Sequence, residues 1–251
     1  MNDFDRMVSK HLRALPDQLT SLLTSQFKTE NVVQLDHLLP SAMGKQLGEQ
    51  ALDLLETGTA KRRDVKLAIT GDTPRAYHSV GRDDIQKQNG VITRFFQSDV
   101  VREYLSRVAG EPLHKVPYAP EEYIVNSQQL SGDTHGWHWD DYTFALIWVV
   151  EAPHCMDGGR VEYIVDTKWD KDQPKDCLEQ LVAEREIRSR YVPAGSCYLM
   201  RANTTLHRVA PLNGNSRRTV IVFTYASQSD LTDTSISHET MEEIYRPEIA
   251  A

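Results

Sequence analysis

The run His135–Val150 reads HGWHWDDYTFALIWVV, two histidines and two aspartates leading straight into an apolar stretch. Its second half, TFALIWVV, is rich in β-branched and aromatic residues and reads as a strand. Its first half carries His138 and Asp140 one residue apart. On a strand, residues i and i+2 share a face, so both side chains can reach one ion. The stretch is therefore either a histidine-rich polar turn or a metal site whose ligands sit on adjacent strands.

Outward from this run the same grammar continues. From about Leu113 eight short runs follow one another: EEYIVNSQ, HGWHW, TFALIWVV, RVEYIV, IRSRYVP, SCYLM, LHRV and RRTVIVFTY. The turn signals SGD, MDGG, PAG and LNGNS separate them. The first third is mostly helical instead. Asp5–Leu15 and Leu19–Phe27 have apolar residues at helical spacing. NVVQLDHLLP reads as a short strand, and PSAMGKQLGEQALDLLETG as an amphipathic helix closed by Gly58. SDVVREYLSRVAGEP has Ser98 as N-cap, Asp99 in the first turn and Gly110 just past the end. Helices followed by strands predict an α+β fold, a β-sandwich or jelly roll with helical support. One domain over 1–251 is expected, with 1–112 as helical support, 113–227 as the jelly-roll core and 228–251 as a C-terminal segment. The charged insert Lys168–Glu186 breaks the strand rhythm and predicts a surface lid or helix.

A net charge of −8, from 28 basic and 36 acidic residues, argues against a nucleic-acid partner held through phosphates. The three cysteines show no CxxC spacing, which predicts a reducing, cytoplasmic setting. The first residues carry no secretory pattern, and no stretch approaches the roughly 20 apolar residues of a membrane span. A small-molecule substrate, with neither nucleic acid nor membrane, is the expectation.

A third ligand must come from a distant strand, and LHRVAPLNGNSRR supplies His207. Two imidazoles and one carboxylate form the facial set that suits non-haem Fe(II). Arg217 follows His207 by ten residues, at the start of RRTVIVFTY. Alternation puts Arg217 and Thr219 on one face, where guanidinium and hydroxyl suit a dicarboxylate; if that face is the inner one, Arg218 turns outward unless a bulge changes the count. Such a charge-assisted pair is worth roughly 1.5–3 kcal/mol.

HWD followed by LHRVAPLNGNSRRTVIVF resembles the Fe(II)/2-oxoglutarate-dependent oxygenases. They combine an HxD pair, a distal His and an Arg about ten residues later, on a strand ending in an aromatic, here Phe223. CMDGGRVEYI is similar to their Gly-Gly turn. The resemblance covers roughly Tyr123–Tyr225, and the whole chain resembles the small freestanding amino-acid halogenases and hydroxylases of that superfamily. It implies Fe(II) on His138, Asp140 and His207, 2-oxoglutarate as co-substrate with its far carboxylate on Arg217, and O2 as oxidant. Halogenating members replace the carboxylate ligand by Gly or Ala. This chain keeps Asp140, so the expectation is a hydroxylase of a small polar metabolite, foremost a free amino acid or derivative. The alternatives are a carrier-bound or peptide substrate, a non-catalytic jelly-roll binding protein, and a cupin-type protein with another metal.

His135 and Asp141 flank the ligands, either supporting them or binding substrate. Glu121 and Glu122 are weaker candidates for an amine. Arg75, in GDTPRAYHSVGRDD, is read as a residue of a polar loop that could bind a substrate carboxylate. Trp137 and Trp139 should brace the strand on the face away from the metal, and Cys155 and Cys197 read as small buried residues.

Overall fold

The apolar run after the histidines is a strand buried on both faces, and this explains its composition. In Phe144–Glu151, Phe144, Leu146 and Trp148 join a core of helices, while Ala145, Ile147 and Val149 face a second apolar layer. A strand covered on both sides loses polar alternation and reads as a continuous apolar run.

The computed structural model describes residues 1–57 and 59–245. Its helices are α1 (Asp3–Arg13), α2 (Asp17–Glu30), α3 (Ser41–Glu56), α4 (Arg82–Lys87), α5 (Val91–Gln97), α6 (Asp99–Ala109), α7 (Pro174–Glu184) and α8 (Glu239–Ile244). Its strands are β1 (Val32–Gln34), β2 (Lys61–Lys66), β3 (Pro74–Val80), β4 (His114–Lys115), β5 (Tyr123–Gln128) and β6 (Thr134–His138). They continue with β7 (Phe144–Glu151), β8 (Val161–Ile164), β9 (Arg188–Arg190), β10 (Cys197–Arg201), β11 (Leu206–Val209) and β12 (Arg218–Ala226). The pairings are antiparallel, in the order β1-β10-β7-β12-β5-β3-β6-β11-β8-β9, with β2 beside β3 and β4 beside β12. The result is an α+β fold in which the sheet curls into a jelly roll, with α1–α6 packed on one face and the candidate site in the concavity.

All eight runs expected after Leu113 are strands, and the insert contains α7. Helix α6 has the expected ends: the Ser98 hydroxyl accepts from the Val101 N–H at 3.2 Å, and Gly110 takes the left-handed conformation at φ 77°. Gly58, expected to close α3, lies outside the described residues. No helix among the described residues is long and apolar enough to cross a membrane.

The first third departs from the mostly helical expectation at β2 and β3. β3 joins the two layers of the roll: His78, Ser79 and Val80 pair with β5, while Arg75 and Ala76 pair with β6. Arg75 is therefore a strand residue, not part of a polar loop. Its neighbour β2 is pinned by a partly buried ion pair, Arg62 to Asp133, with both nitrogen–oxygen contacts at 2.8 Å. Cys155 also departs from expectation: it is exposed, whereas Cys197 is fully buried.

The Gly-Gly turn holds β8 against the chain that links β11 to β12. Gly158 and Gly159 have φ of 80° and 64°. A Cβ on Gly158 would lie 1.9 Å from the Pro211 carbonyl oxygen, and one on Gly159 would lie 3.2 Å from Arg218 Cδ. Gly158→Ala is expected to destabilise by roughly 2–4 kcal/mol through clash and left-handed strain together, read as a lowered thermal midpoint.

Candidate metal centre

His207 on β11 and His138 on β6 are direct partners across an antiparallel pair, which places both imidazoles on the concave face. Asp140 follows just beyond the end of β6, where its N–H donates to the Ala202 carbonyl at 3.3 Å. Asp140 Oδ1 lies 3.5 Å from His138 Nε2 and 3.7 Å from His207 Nε2. One ligand atom from each of the three residues lies within 4.8 Å of the others.

The tautomers follow from the backbone. His138 Nδ1 is 2.7 Å from the Gly136 carbonyl, and His207 Nδ1 is 2.8 Å from the Thr205 carbonyl. A carbonyl only accepts, so each Nδ1 carries a proton, and Nε2, on the side of Asp140, is the nitrogen left to bind a metal. Burial pushes the His138 pKa well below its ordinary value, and His135, His207 and Arg75 push the same way. Burial raises the Asp140 pKa, assisted by Asp141 and opposed by His207 and Arg75. Buried ring nitrogens beside a desolvated carboxylate are costly alone; a divalent cation stabilises all three. The donor set therefore fits a metal.

His135 reaches the same face through a bulge. His138 opposes His207 but His135 opposes Val209, so three steps along β6 match two along β11. The extra residue brings positions i and i+3 onto one face. The rings of His135 and His138 stack at 4.0 Å with an interplanar angle of 9°. Burial, with Arg75, His207 and Arg218 adding to it, pushes the His135 pKa well down. Trp137 packs away from the ligands with Ile164, Leu178 and Leu206, whereas Trp139, in the same cluster, also lines the cleft, contrary to expectation.

The arginine expectation is corrected. Arg217 is exposed, while Arg218 is 4% exposed and lines the cleft. The alternation along β12 explains it: Arg218, Val220, Val222 and Thr224 face the cleft, whereas Ile221, Phe223 and Tyr225 join the helix-side core. Thr219 sits on that second face, with its hydroxyl 2.8 Å from Ser127 Oγ and donating to Glu151 Oε2 at 2.5 Å. It is not in the cleft. Burial raises the Tyr198 pKa, and the nearby Arg218 opposes that rise.

Arg75 is 3% exposed and lies opposite His135 in register. Among the described residues its Nε and Nη2 have no partner, and neither do His135 Nε2, Asn126 Oδ1 and Gln128 Oε1, all in the same cleft. Buried polar atoms left unpaired are expensive, so this cluster suits a polar ligand better than an apolar one. Asp141 and Glu121 line the cleft too, whereas Glu122 pairs with Arg82 at 2.8 Å. Tyr198, Asn126, Gln128, Lys171 and His238 are the cleft neighbours that sequence reading missed. Alternation along β5 was a signal for Asn126 and Gln128 alone.

Glu121 shares a hydrogen bond with His238 from the C-terminal segment, Oε1 to Nδ1 at 2.9 Å. Burial, then Asp141 and Asp140, push its pKa from 4.5 up to about 9, with Lys171 opposing. The folded chain thus holds a proton that the unfolded chain releases near its ordinary value. Between those two values this group removes stability as pH rises, with a limiting slope of about 1.4 kcal/mol per pH unit. Glu121→Gln is expected to flatten that slope, so its stability relative to the parent rises from pH 5 to pH 8 in urea titrations.

Residues 15–246 match the model of the family described as Halogenase D. No curated protein matches the chain. Among solved structures, the epimerase SnoN in complex with Fe3+, alpha ketoglutarate and nogalamycin RO superposes with a TM-score of 0.65 at 12% identity, covering 84% of this chain and 85% of that one. A prolyl hydroxylase from Trichoplax adhaerens, bound to a hypoxia inducible factor fragment, gives 0.58 at 14%, covering 87% and 93%. A prolyl-4-hydroxylase from Pseudomonas putida gives 0.56 at 12%, covering 83% and 99%. These likenesses are of fold. With the match over nearly its whole length, the chain belongs to the family described as Halogenase D.

Proposed function

We propose that this protein hydroxylates an unactivated C–H bond of a small zwitterionic metabolite, a free amino acid or close derivative, using Fe(II), 2-oxoglutarate and O2. The observation that carries the reading is Asp140, whose carboxylate oxygen faces both imidazole Nε2 nitrogens at 3.5 and 3.7 Å. A third protein ligand leaves three positions for co-substrate and oxygen and none spare for a halide. When bound, the iron and 2-oxoglutarate together supply an oxidant for the C–H bond. The chain's residues do the rest. His138, Asp140 and His207 hold the metal, and Arg218 with Tyr198 receives the far carboxylate of 2-oxoglutarate. Arg75 and His135, with their unpaired nitrogens, take a substrate carboxylate, and Asp141 with Glu121 takes an ammonium.

The family description favours a second reading, halogenation. A carboxylate at position 140 argues against it, because chloride then lacks the site that Gly or Ala would open. A cleft covered by Thr240, Met241 and Ile244 of α8 supports a small ligand over a peptide or carrier protein. The three free cysteines accord with a reducing, cytoplasmic setting. Turnover of an amino-acid panel with Fe(II), 2-oxoglutarate and chloride, read by mass, tests the proposal. The expected product gains one oxygen and succinate appears with it. A chlorine isotope pattern would establish halogenation instead.

A further inference from the structure

Asp141 is buried against the cleft, its side chain 6% exposed, yet its partner comes from outside the sheet. Lys171, on the insert between β8 and β9, reaches in to place Nζ 3.0 Å from Asp141 Oδ1. The same ammonium lies 4.3 Å from the centre of the Trp169 ring. Trp169 is fixed in turn: it stacks on Trp139 at 5.8 Å and 13°, and its indole N–H donates to the Ile69 carbonyl at 3.1 Å. A buried carboxylate on one side and an anchored indole face on the other form a seat for an organic cation. The seat is rigid, while its occupant is a long side chain that remains 37% exposed.

We propose that Lys171 is a built-in stand-in for the ammonium group of the substrate, and that displacing it makes Lys171 a specificity-determining residue. The inference rests on the reading of Asp141 as an ammonium site. A ligand with an ammonium group replaces Lys171 at equal charge, so the buried Asp141 keeps a cationic partner while the half-exposed Lys171 side chain returns to water. A neutral ligand cannot replace it and would have to leave Asp141 paired to Lys171. Competition of this kind lowers affinity for cations and rejects neutral isosteres more strongly. Glu121 has a parallel partner in His238, so both cleft acids are engaged by segments outside the sheet.

The test uses the metal-free protein, which separates it from turnover. Calorimetry measures binding of ω-amino acids of increasing length, each beside the fatty acid in which methyl replaces the ammonium. Lys171→Met keeps the apolar stem and removes the charge. It is expected to tighten the ω-amino acids by about tenfold to a hundredfold, the range of a hydrogen bond to a charged group, and to leave the fatty acids unchanged. Lys171→Arg, which keeps the competing cation, should resemble the parent. In the parent, the Trp169 indole N–H resonance should shift when an ω-amino acid binds and stay in place with a fatty acid. Equal or weaker binding of the ω-amino acids to Lys171→Met would overturn the role of Lys171 alone. Absence of ω-amino-acid binding in both proteins would overturn it together with the ammonium site, leaving the metal and 2-oxoglutarate assignments to their own tests.

Discussion

Asp140→Ala is expected to lose succinate-coupled hydroxylation by roughly a thousandfold or more. Changing a group that merely orients a metal ligand commonly costs 10–100-fold in metal affinity or activity, and Asp140 is placed as a ligand itself. Its oxygen meets two imidazoles whose other nitrogens are committed to the Gly136 and Thr205 carbonyls. Without the carboxylate, two rings remain and the charge that offsets the metal is gone. Asp140→Asn keeps the shape but not the charge and should fall between the parent and Asp140→Ala in iron affinity. The folded state should be indifferent or slightly favoured, because Asp140 in the metal-free protein is a desolvated carboxylate. Iron binding and product formation, measured beside thermal stability, separate loss of a ligand from loss of fold.

Arg218→Ala should raise the 2-oxoglutarate concentration needed for half-maximal rate by about thirtyfold to a thousandfold or more. Truncating one partner of a buried hydrogen-bonded charge pair costs about 2–5 kcal/mol, and every 1.4 kcal/mol is tenfold. Arg217→Ala should stay within about twofold, since an exposed side chain contributes little. Arg218→Lys should recover only part of the loss, because an ammonium lacks the planar fork that grips a carboxylate from two nitrogens. Equal effects at the two positions, or a larger one at Arg217, would contradict the register of β12.

That register shows where sequence reading succeeds and where it stops. The strands after Leu113 and the capped helix α6 were legible because their signals are local: apolar runs between turns, a serine before a helix, a glycine after it. The set His138, Asp140 and His207 was legible because i, i+2 on a strand and a distal histidine form a sparse pattern. The arginine was misplaced because family spacing was weighed above the strand's own alternation. Ile221, Phe223 and Tyr225 are the large residues of β12, and all point into the helix-side core. Arg217 has their parity and Arg218 the opposite one. β3 was missed because PRAYHSV opens on proline and alternates weakly, and its pairing partners lie some fifty residues onward. His135 needed the bulge, which strict alternation cannot supply. Lys171 and His238 meet the cleft acids through space, from segments whose own sequence carries no sign of it.

The most direct measurement is an anaerobic titration of Fe(II) into the protein with 2-oxoglutarate, followed by the charge-transfer absorption of the iron–2-oxoglutarate complex. The parent protein is expected to develop the band and saturate at one iron per chain. His138→Ala should lack the band, and Arg218→Ala should need far more 2-oxoglutarate to reach it. A parent protein that develops no band, or a band unchanged in both variants, would contradict the assignment of this cleft as the oxygenase centre.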